Sequence, residues 1–220
     1  FTFDWSYSHG EHVNWRESLI CKTCGLPSRL RLSLHVLERL VSNLALSSVY
    51  LTEQLTPTVP ALRPRCGTLV CSEFLGADVK SGTLDSRGVR HEDLTRLSFA
   101  DGMFDAVLSF DVFEHIPDYK RALREVRRIL KPGGRFLVSV PFVLSSNANI
   151  VRAVVRKDGG IEHLLPPEYH GDPINPEHGV LCYYHFGWEV LHDMRDAGFS
   201  RAGLRLSWST DFAYIGHESP

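Results

Sequence analysis

Four acidic residues recur along the middle of this chain at intervals of about twenty: Glu53, Glu73, Asp93 and Asp111. Each closes a short β-prone run. Ser48-Val49-Tyr50-Leu51-Thr52 precedes Glu53, Thr68-Leu69-Val70-Cys71-Ser72 precedes Glu73, Val89-Arg90-His91 precedes Glu92-Asp93, and Phe104 to Ser109 leads to Phe110-Asp111. An ionised carboxylate offers acceptor oxygens and negative charge but no donor. Several such groups along one rim suit a ligand that carries hydroxyls, an amino group and a cationic centre. A single acid of this kind is more often a loop residue or a helix cap. It is the repetition at successive strand ends that points to a binding rim.

Two other groups of residues could do chemistry. Cys21-Lys22-Thr23-Cys24-Gly25 has the form of half a zinc site, two thiolates on a tight turn with a glycine relieving the backbone. The missing ligands could be His9 and His12, which share the same spacing. Zinc held there would be structural, and the plainer alternative is a reduced turn without metal. Cys66, Cys71 and Cys182 read as small core hydrophobes. Further along, residues 161–188, IEHLLPPEYHGDPINPEHGVLCYYHFGW, gather His163, Glu168, Tyr169, His170, Asp172, Tyr183, Tyr184 and His185. His163, His170, Asp172 and His185 could ligate a metal by residue type, but their spacing matches no defined site.

The elements that must position these groups follow from periodicity. Leu30, Leu34, Leu37, Val41 and Leu44 predict a helix over Ser28–Asn43. A short helix runs toward Leu62. Tyr119, Ala122, Leu123, Val126, Ile129 and Leu130 form one face of another helix, which Pro132-Gly133-Gly134 stops. Arg135–Pro141 reads as a strand, 143–185 as irregular, and Phe186–Ala197 as a last helix capped by Gly198. Leu204–Trp208 and Phe212–Ile215 predict a closing antiparallel hairpin. Strands alternating with helices imply an α/β fold with a parallel sheet covered on both faces. In such a sheet ligands bind beyond the carboxyl ends of the strands, which is where the four acids fall. The organisation is a 1–27 N-terminal segment carrying the Cys-x-x-Cys knuckle, then one domain over 28–220 with a substrate-side insertion at about 143–185.

Composition narrows the function classes. The chain has 220 residues, 43% of them hydrophobic and 23% charged, with a formal net charge of −2 and five cysteines. That is enough for one α/β domain with a full core. The near-neutral charge and the lack of a basic run argue against nucleic acid or an anionic membrane as partner. No apolar run approaches the ~20 residues a bilayer requires. Five cysteines make no disulfide framework, so the expected setting is reducing and cytoplasmic. Oligomeric state is left open.

The stretch from 88 to 142, GVRHEDLTRLSFADGMFDAVLSFDVFEHIPDYKRALREVRRILKPGGRFLVSVPF, closely resembles the core of class I S-adenosylmethionine (SAM)-dependent methyltransferases, in the branch that acts on small molecules. The resemblance implies a Rossmann-like, seven-stranded, mostly parallel sheet with helices on both faces and a C-terminal hairpin. It implies SAM as cofactor and a small polar acceptor such as a sugar, a glycan or a secondary metabolite. It also implies roles: Glu73, with Phe74 beside it, for the ribose hydroxyls; Asp93 for the adenine amino group, with Leu94 flanking the ring; and Ser109, Phe110 and Asp111 along the methionine part.

One departure stands out. Family members have a glycine-rich loop after the first strand, whereas this chain has Thr52-Glu53-Gln54-Leu55-Thr56-Pro57. Cys66-Gly67-Thr68 cannot replace it, because it precedes a strand. Either Glu53 and Gln54 supply side-chain hydrogen bonds in place of backbone N–H groups, or the chain is a non-catalytic binding protein that kept the fold. A dehydrogenase reading is disfavoured because no GxGxxG is present. On the acceptor side His170 is the expected general base with Tyr169 orienting it, and His115 is the second choice.

Overall fold

The computed structural model describes residues 1–8 and 13–214. The N-terminal segment pairs β1 (Thr2–Phe3) antiparallel with β2 (Leu19–Ile20), with the single-turn helix α1 (Trp15–Ser18) between them. α2 (Ser28–Leu40) follows, then β3 (Ser48–Leu51), α3 (Thr58–Leu62) and β4 (Thr68–Cys71). The middle of the chain gives β5 (Phe104–Phe110), α4 (Tyr119–Ile129) and β6 (Leu130–Ser139). Six short strands come next: β7 (Ile150–Val151), β8 (Ala153–Val155), β9 (Ile161–His163), β10 (Tyr169–His170), β11 (Val180–Leu181) and β12 (Tyr184–His185). α5 (Glu189–Asp196) is the last helix among the described residues.

The central sheet runs β4-β3-β5-β6, and every pair in it is parallel. Successive side chains on a strand face opposite ways, and here both faces are apolar. Val49, Leu51, Ala106 and Leu108 pack with Leu30, Leu34 and Leu37 of α2 and Leu62 of α3. Tyr50 and Val107 pack with Leu123 and Val126 of α4 and Val190 of α5 on the other side. Runs apolar on both faces belong to a sheet sandwiched between helices, as the sequence predicts.

Among the described residues the parallel sheet has four strands rather than seven. Val89–His91, expected as a strand, makes one parallel bridge, Glu73 to His91, because the backbone of His91 is already bonded to Gly82 and Thr83 in the preceding turn. Of the C-terminal hairpin, whose Ile215 lies outside the described residues, the described part forms a single bridge between Ser209 and Tyr214 around a tight turn, with Leu206 and Trp208 left exposed. The segment read as irregular instead forms three small antiparallel ribbons, β12 with β7, β8 with β9, and β10 with β11. Alternation is invisible in strands of two or three residues.

At the end of α4 the helix stops at Ile129, and Gly133 takes a φ of 78°. That left-handed turn lets the chain re-enter the sheet beside β5, where the pairing shifts register between Phe104 and Ala106.

Candidate functional site

Three of the four acids stand where the parallel sheet ends. Glu53 follows β3 and is buried; burial raises its carboxyl above the usual range, against the opposing pull of the Thr58 and Thr56 hydroxyls, and Oε1 makes no hydrogen bond of normal geometry among the described residues. Glu73 follows β4, and its Oε1 accepts the backbone N–H groups of Gln54 (2.7 Å) and Leu55 (2.8 Å). Burial also raises the Glu73 carboxyl, although those two N–H bonds oppose the rise. This contact explains how the glycine-free loop holds its shape: a carboxylate from the neighbouring strand end captures the loop's exposed donors. Asp111 follows β5 in the left-handed region, with φ 53°. Its Oδ1 accepts from Ser139 Oγ at 3.1 Å, and its Oδ2 lies 2.7 Å from Nη1 of Arg29.

Other expected site residues take different parts. Both ends of the Gln54 amide are used by the chain, Nε2 donating to the Gly88 carbonyl at 3.0 Å and Oε1 accepting from Arg90 N at 2.9 Å. The side chain therefore clamps the first loop to the third acid's segment instead of projecting toward a ligand. Asp93 accepts from the N–H and hydroxyl of Thr95, the plain turn-forming role. Leu94 is buried among Tyr50, Leu97 and Phe99, so it is a packing residue and does not flank an open ring site. Phe110 is also buried, and Ser109 receives a buried hydrogen bond from Thr52 Oγ1 at 3.0 Å. Phe74 is exposed, with its ring 5.5 Å from that of His91.

The second half of the site comes from the insertion folding back onto the turn after β5. Tyr183 N donates to the Glu114 carbonyl at 2.7 Å, and His115 Nδ1 lies 2.8 Å from the Leu181 carbonyl. β10, paired with β11, thereby carries His170 to His115, with ring centroids 4.9 Å apart. The two histidines singled out from sequence thus meet, although 55 positions separate them in the chain. Burial lowers the pKa of His115, and the Glu114 carboxylate beside His170 raises that of His170.

Tyr169 does not orient His170, because its side chain points to solvent. Glu168 does so: its Oε1 lies 3.0 Å from His170 Nε2 and 3.0 Å from His185 Nε2, while Arg152 approaches its Oε2 at 3.1 Å. Tyr183 is buried in a small cluster with Ala153 and Leu181, and Tyr184 donates to the Pro117 carbonyl. His163 lies on an exposed ribbon. Asp172 Oδ1 accepts from Ile174 N, and its negative charge is near enough to add a little to the rise of the Glu73 carboxyl, a repulsion and not a tie between the insertion and the rim.

Sequence reasoning missed three participants. Glu114 is fully buried, and neither of its carboxylate oxygens has a hydrogen-bond partner. Its signal was its place between Asp111 and His115 in the loop after β5. Arg29 reads as a polar helix residue, yet it reaches both Asp111 and Glu17. Glu92 is a buried structural acid that accepts from Arg90 and Ser98. At the knuckle, Gly25 takes φ 69°, and the Cys21 thiol falls to about 7 because the backbone N–H groups of Cys24 and Thr23 point at it. His9 and His12 lie outside the described residues.

Residues 59–138 match a family described as "Methyltransferase domain". A demethylmenaquinone methyltransferase of Mycobacterium marinum is 48% identical over 117 residues, covering 53% of this chain and 47% of that protein. One of Mycolicibacterium vanbaalenii is 37% identical over 98 residues, covering 39% and 43%. A sarcosine/dimethylglycine N-methyltransferase of Halorhodospira halochloris is 49% identical over 43 residues, covering 20% and 15%. The chain spans about half or less of the length of the curated relatives it matches. No helix among the described residues is long and apolar enough to cross a membrane.

Proposed function

We propose that this chain, which carries a class I SAM-dependent methyltransferase domain, moves a methyl group from that cofactor to a small-molecule acceptor bound beside residues 143–188. The observation that carries this reading is the set of acids at adjacent strand ends, with a buried Glu53 Oε1 that makes no hydrogen bond of normal geometry among the described residues, although the Thr56 and Thr58 hydroxyls lie near the carboxyl. An orphaned buried acceptor is costly unless a ligand donor meets it. SAM has donors and positive charge to offer such a rim. Glu53 and Glu73 would hold it there, since Oε2 of Glu73 makes no protein hydrogen bond among the described residues.

When bound, SAM supplies an electrophilic methyl on a sulfonium that leaves as a neutral thioether. The protein's own contribution is alignment and charge. Carboxylates of the rim favour a cationic group in a partly dry site, and holding two reactants in line removes most of the entropic barrier. Where the acceptor is a hydroxyl, its proton falls to the Glu114–His115–His170 cluster. Relatives named for demethylmenaquinone and for sarcosine have different acceptors, so the expectation of a sugar, glycan or secondary metabolite broadens to a small molecule.

A second reading, a binding protein without turnover, is favoured by one feature: Gln54 and Oε1 of Glu73 are used to hold the first loop. Calorimetric titration of the whole chain with SAM and its demethylated product separates the two readings. Micromolar binding that is lost in Glu73→Ala supports the enzyme. A folded protein that binds neither compound removes it.

A further inference from the structure

We propose that Glu114, His115 and His170 form a site for one divalent transition-metal ion, of which zinc best suits the donors. The first observation is the isolation of Glu114. Its side chain is 0% exposed, and neither carboxylate oxygen has a hydrogen-bond partner. A buried carboxylate without donors is unstable unless a cation meets it.

The second observation is spacing. Oε1 of Glu114 lies 3.7 Å from His115 Nε2 and 3.5 Å from His170 Nδ1, and the three donor atoms lie within 4.8 Å of one another. Those separations are long for hydrogen bonds, so without an ion only a protonated imidazole would offset the Glu114 charge. They are close to the spacing of donors around one tetrahedral ion, because ligands about 2.1 Å from a centre sit about 3.4 Å apart.

The third observation is how the imidazoles are held. His115 places Nδ1 on the Leu181 carbonyl, which leaves Nε2 free for an ion. His170 places Nε2 on the Glu168 carboxylate, which leaves Nδ1 free. A carbonyl or carboxylate on the far nitrogen is the usual way a protein fixes a metal-ligating histidine. Arg152 in turn holds Glu168.

Exposure of the three side chains rises from 0% for Glu114 through 10% for His115 to 30% for His170. A fourth coordination position therefore opens toward His170 and solvent, giving the ion a path in and a place for an exchangeable ligand. Two imidazoles and one carboxylate are borderline donors that suit zinc and its neighbours better than magnesium or calcium. Glu168, Cys182 and His185 also lie within mutual reach. They serve better as the supporting layer, since Glu168 already receives two imidazoles and the Cys182 thiol donates to the Tyr184 carbonyl. The role of the ion rests on the methyltransferase reading: at the open position it would grip an acceptor oxygen and lower its pKa, so that the proton passes to solvent; with the ion bound, Glu114, His115 and His170 are its ligands and do not take that proton themselves. The site itself does not rest on that reading.

The test uses the whole chain with Cys21→Ser and Cys24→Ser, so that no thiolate pair competes, stripped of metal and titrated with cobalt(II). Expected are saturation at one equivalent, visible bands of a four-coordinate nitrogen–oxygen site, and displacement by zinc. His170→Asn and Glu114→Gln should each weaken binding by about 100-fold or more. SAM titration of the same samples reports folding and cofactor binding separately. A protein that binds SAM but not cobalt, or bands that persist in both variants, overturns the metal site. A protein that binds cobalt but not SAM leaves the site standing and removes the methyltransferase reading.

Discussion

Arg29 Nη1 lies 2.7 Å from Asp111 Oδ2, so the first turn of α2 is tied directly to the loop that ends β5. Arg29 also approaches Glu17 at 2.5 Å, and its charge reaches Glu53. One guanidinium thus balances three acids beside the rim. Both members of the Arg29–Asp111 pair are mostly buried, with side chains 26% and 21% exposed. Removing the cation leaves only the more exposed Arg16, 3.3 Å from Glu17 and 3.9 Å from Asp111, to compensate these charges in a poorly solvated place. Discounted for that partial exposure, Arg29→Met should lower stability by about 1–3 kcal/mol. Urea denaturation measures it, with Arg29→Lys expected to fall between the two. A midpoint unchanged in Arg29→Met would show that the pair contributes nothing in solution.

Glu53 gives a pH signature. Its carboxyl is raised in the folded state chiefly by burial, so the fold favours the protonated form. Such a group helps stability below its unfolded pKa, and that help is lost as pH rises through the folded value. Glu53→Gln, neutral throughout, should therefore be more stable than the wild type at pH 8. The advantage should shrink steadily toward pH 5. Melting temperatures across that range measure it, and repeating them with SAM adds a second check. The cofactor should raise the wild-type melting temperature more than that of the variant.

The sheet was legible because its strands are apolar on both faces, as Val49 to Leu51 and Ala106 to Leu108 show. Helix α4 was legible because Tyr119, Ala122, Leu123, Val126 and Ile129 repeat at helical spacing over three turns. The ribbons of 150–185 were not, since two-residue strands carry no period. Site residues divide in the same way. Glu53, Glu73 and Asp111 follow recognisable strands and could be placed by counting. Glu114 looks like any surface acid in a turn. Only the Tyr183 N–H bond to its carbonyl, made from 69 positions away, shows that the insertion buries it. The clamping role of Gln54 was hidden for a related reason: its amide partners, Gly88 and Arg90, lie in a turn whose path no local pattern reveals.

The cysteines should separate by reactivity. Thiolate is the nucleophile, and the Cys21 thiol is lowered to about 7, whereas burial pushes Cys71 up to about 12 and Cys182 up to about 11. Iodoacetamide at pH 7 should label Cys21 well before Cys71 or Cys182, with a rate that rises through a midpoint near 7. Peptide mass spectrometry reads each site. If the knuckle holds zinc, added zinc should protect Cys21. Labelling of Cys21 only above pH 9 would show that the backbone N–H groups do not reach its sulfur in solution.

Asn149 fastens the insertion to the helical layer. Its backbone N–H donates to Glu189, its Nδ2 donates to Tyr119 Oη (2.9 Å) and Asp193 Oδ2 (3.2 Å), and its Oδ1 accepts from Gly187 N at 3.0 Å. The Tyr119 hydroxyl itself donates to Asp193 at 2.6 Å, so α4, α5 and the start of the insertion share one network. Asn149→Ala keeps the backbone bond to Glu189 but leaves Gly187 N without its partner and removes one hydrogen bond from Asp193, which keeps those of Tyr119 and Lys120. Each buried polar group left unpaired costs about 1–3 kcal/mol, and a total loss of about 2–4 kcal/mol is expected. Gly187 admits no larger residue, because a Cβ there would run into the carbonyl oxygens of Ser146 and Ala148. Gly187→Ala should therefore loosen the same joint by a different route. Both variants should become cleavable by protease within 143–188 while hydrogen exchange in β3 and β5 stays slow. If Asn149→Ala instead loses protection across the whole sheet, the insertion is part of the cooperative core and not a unit fastened onto it.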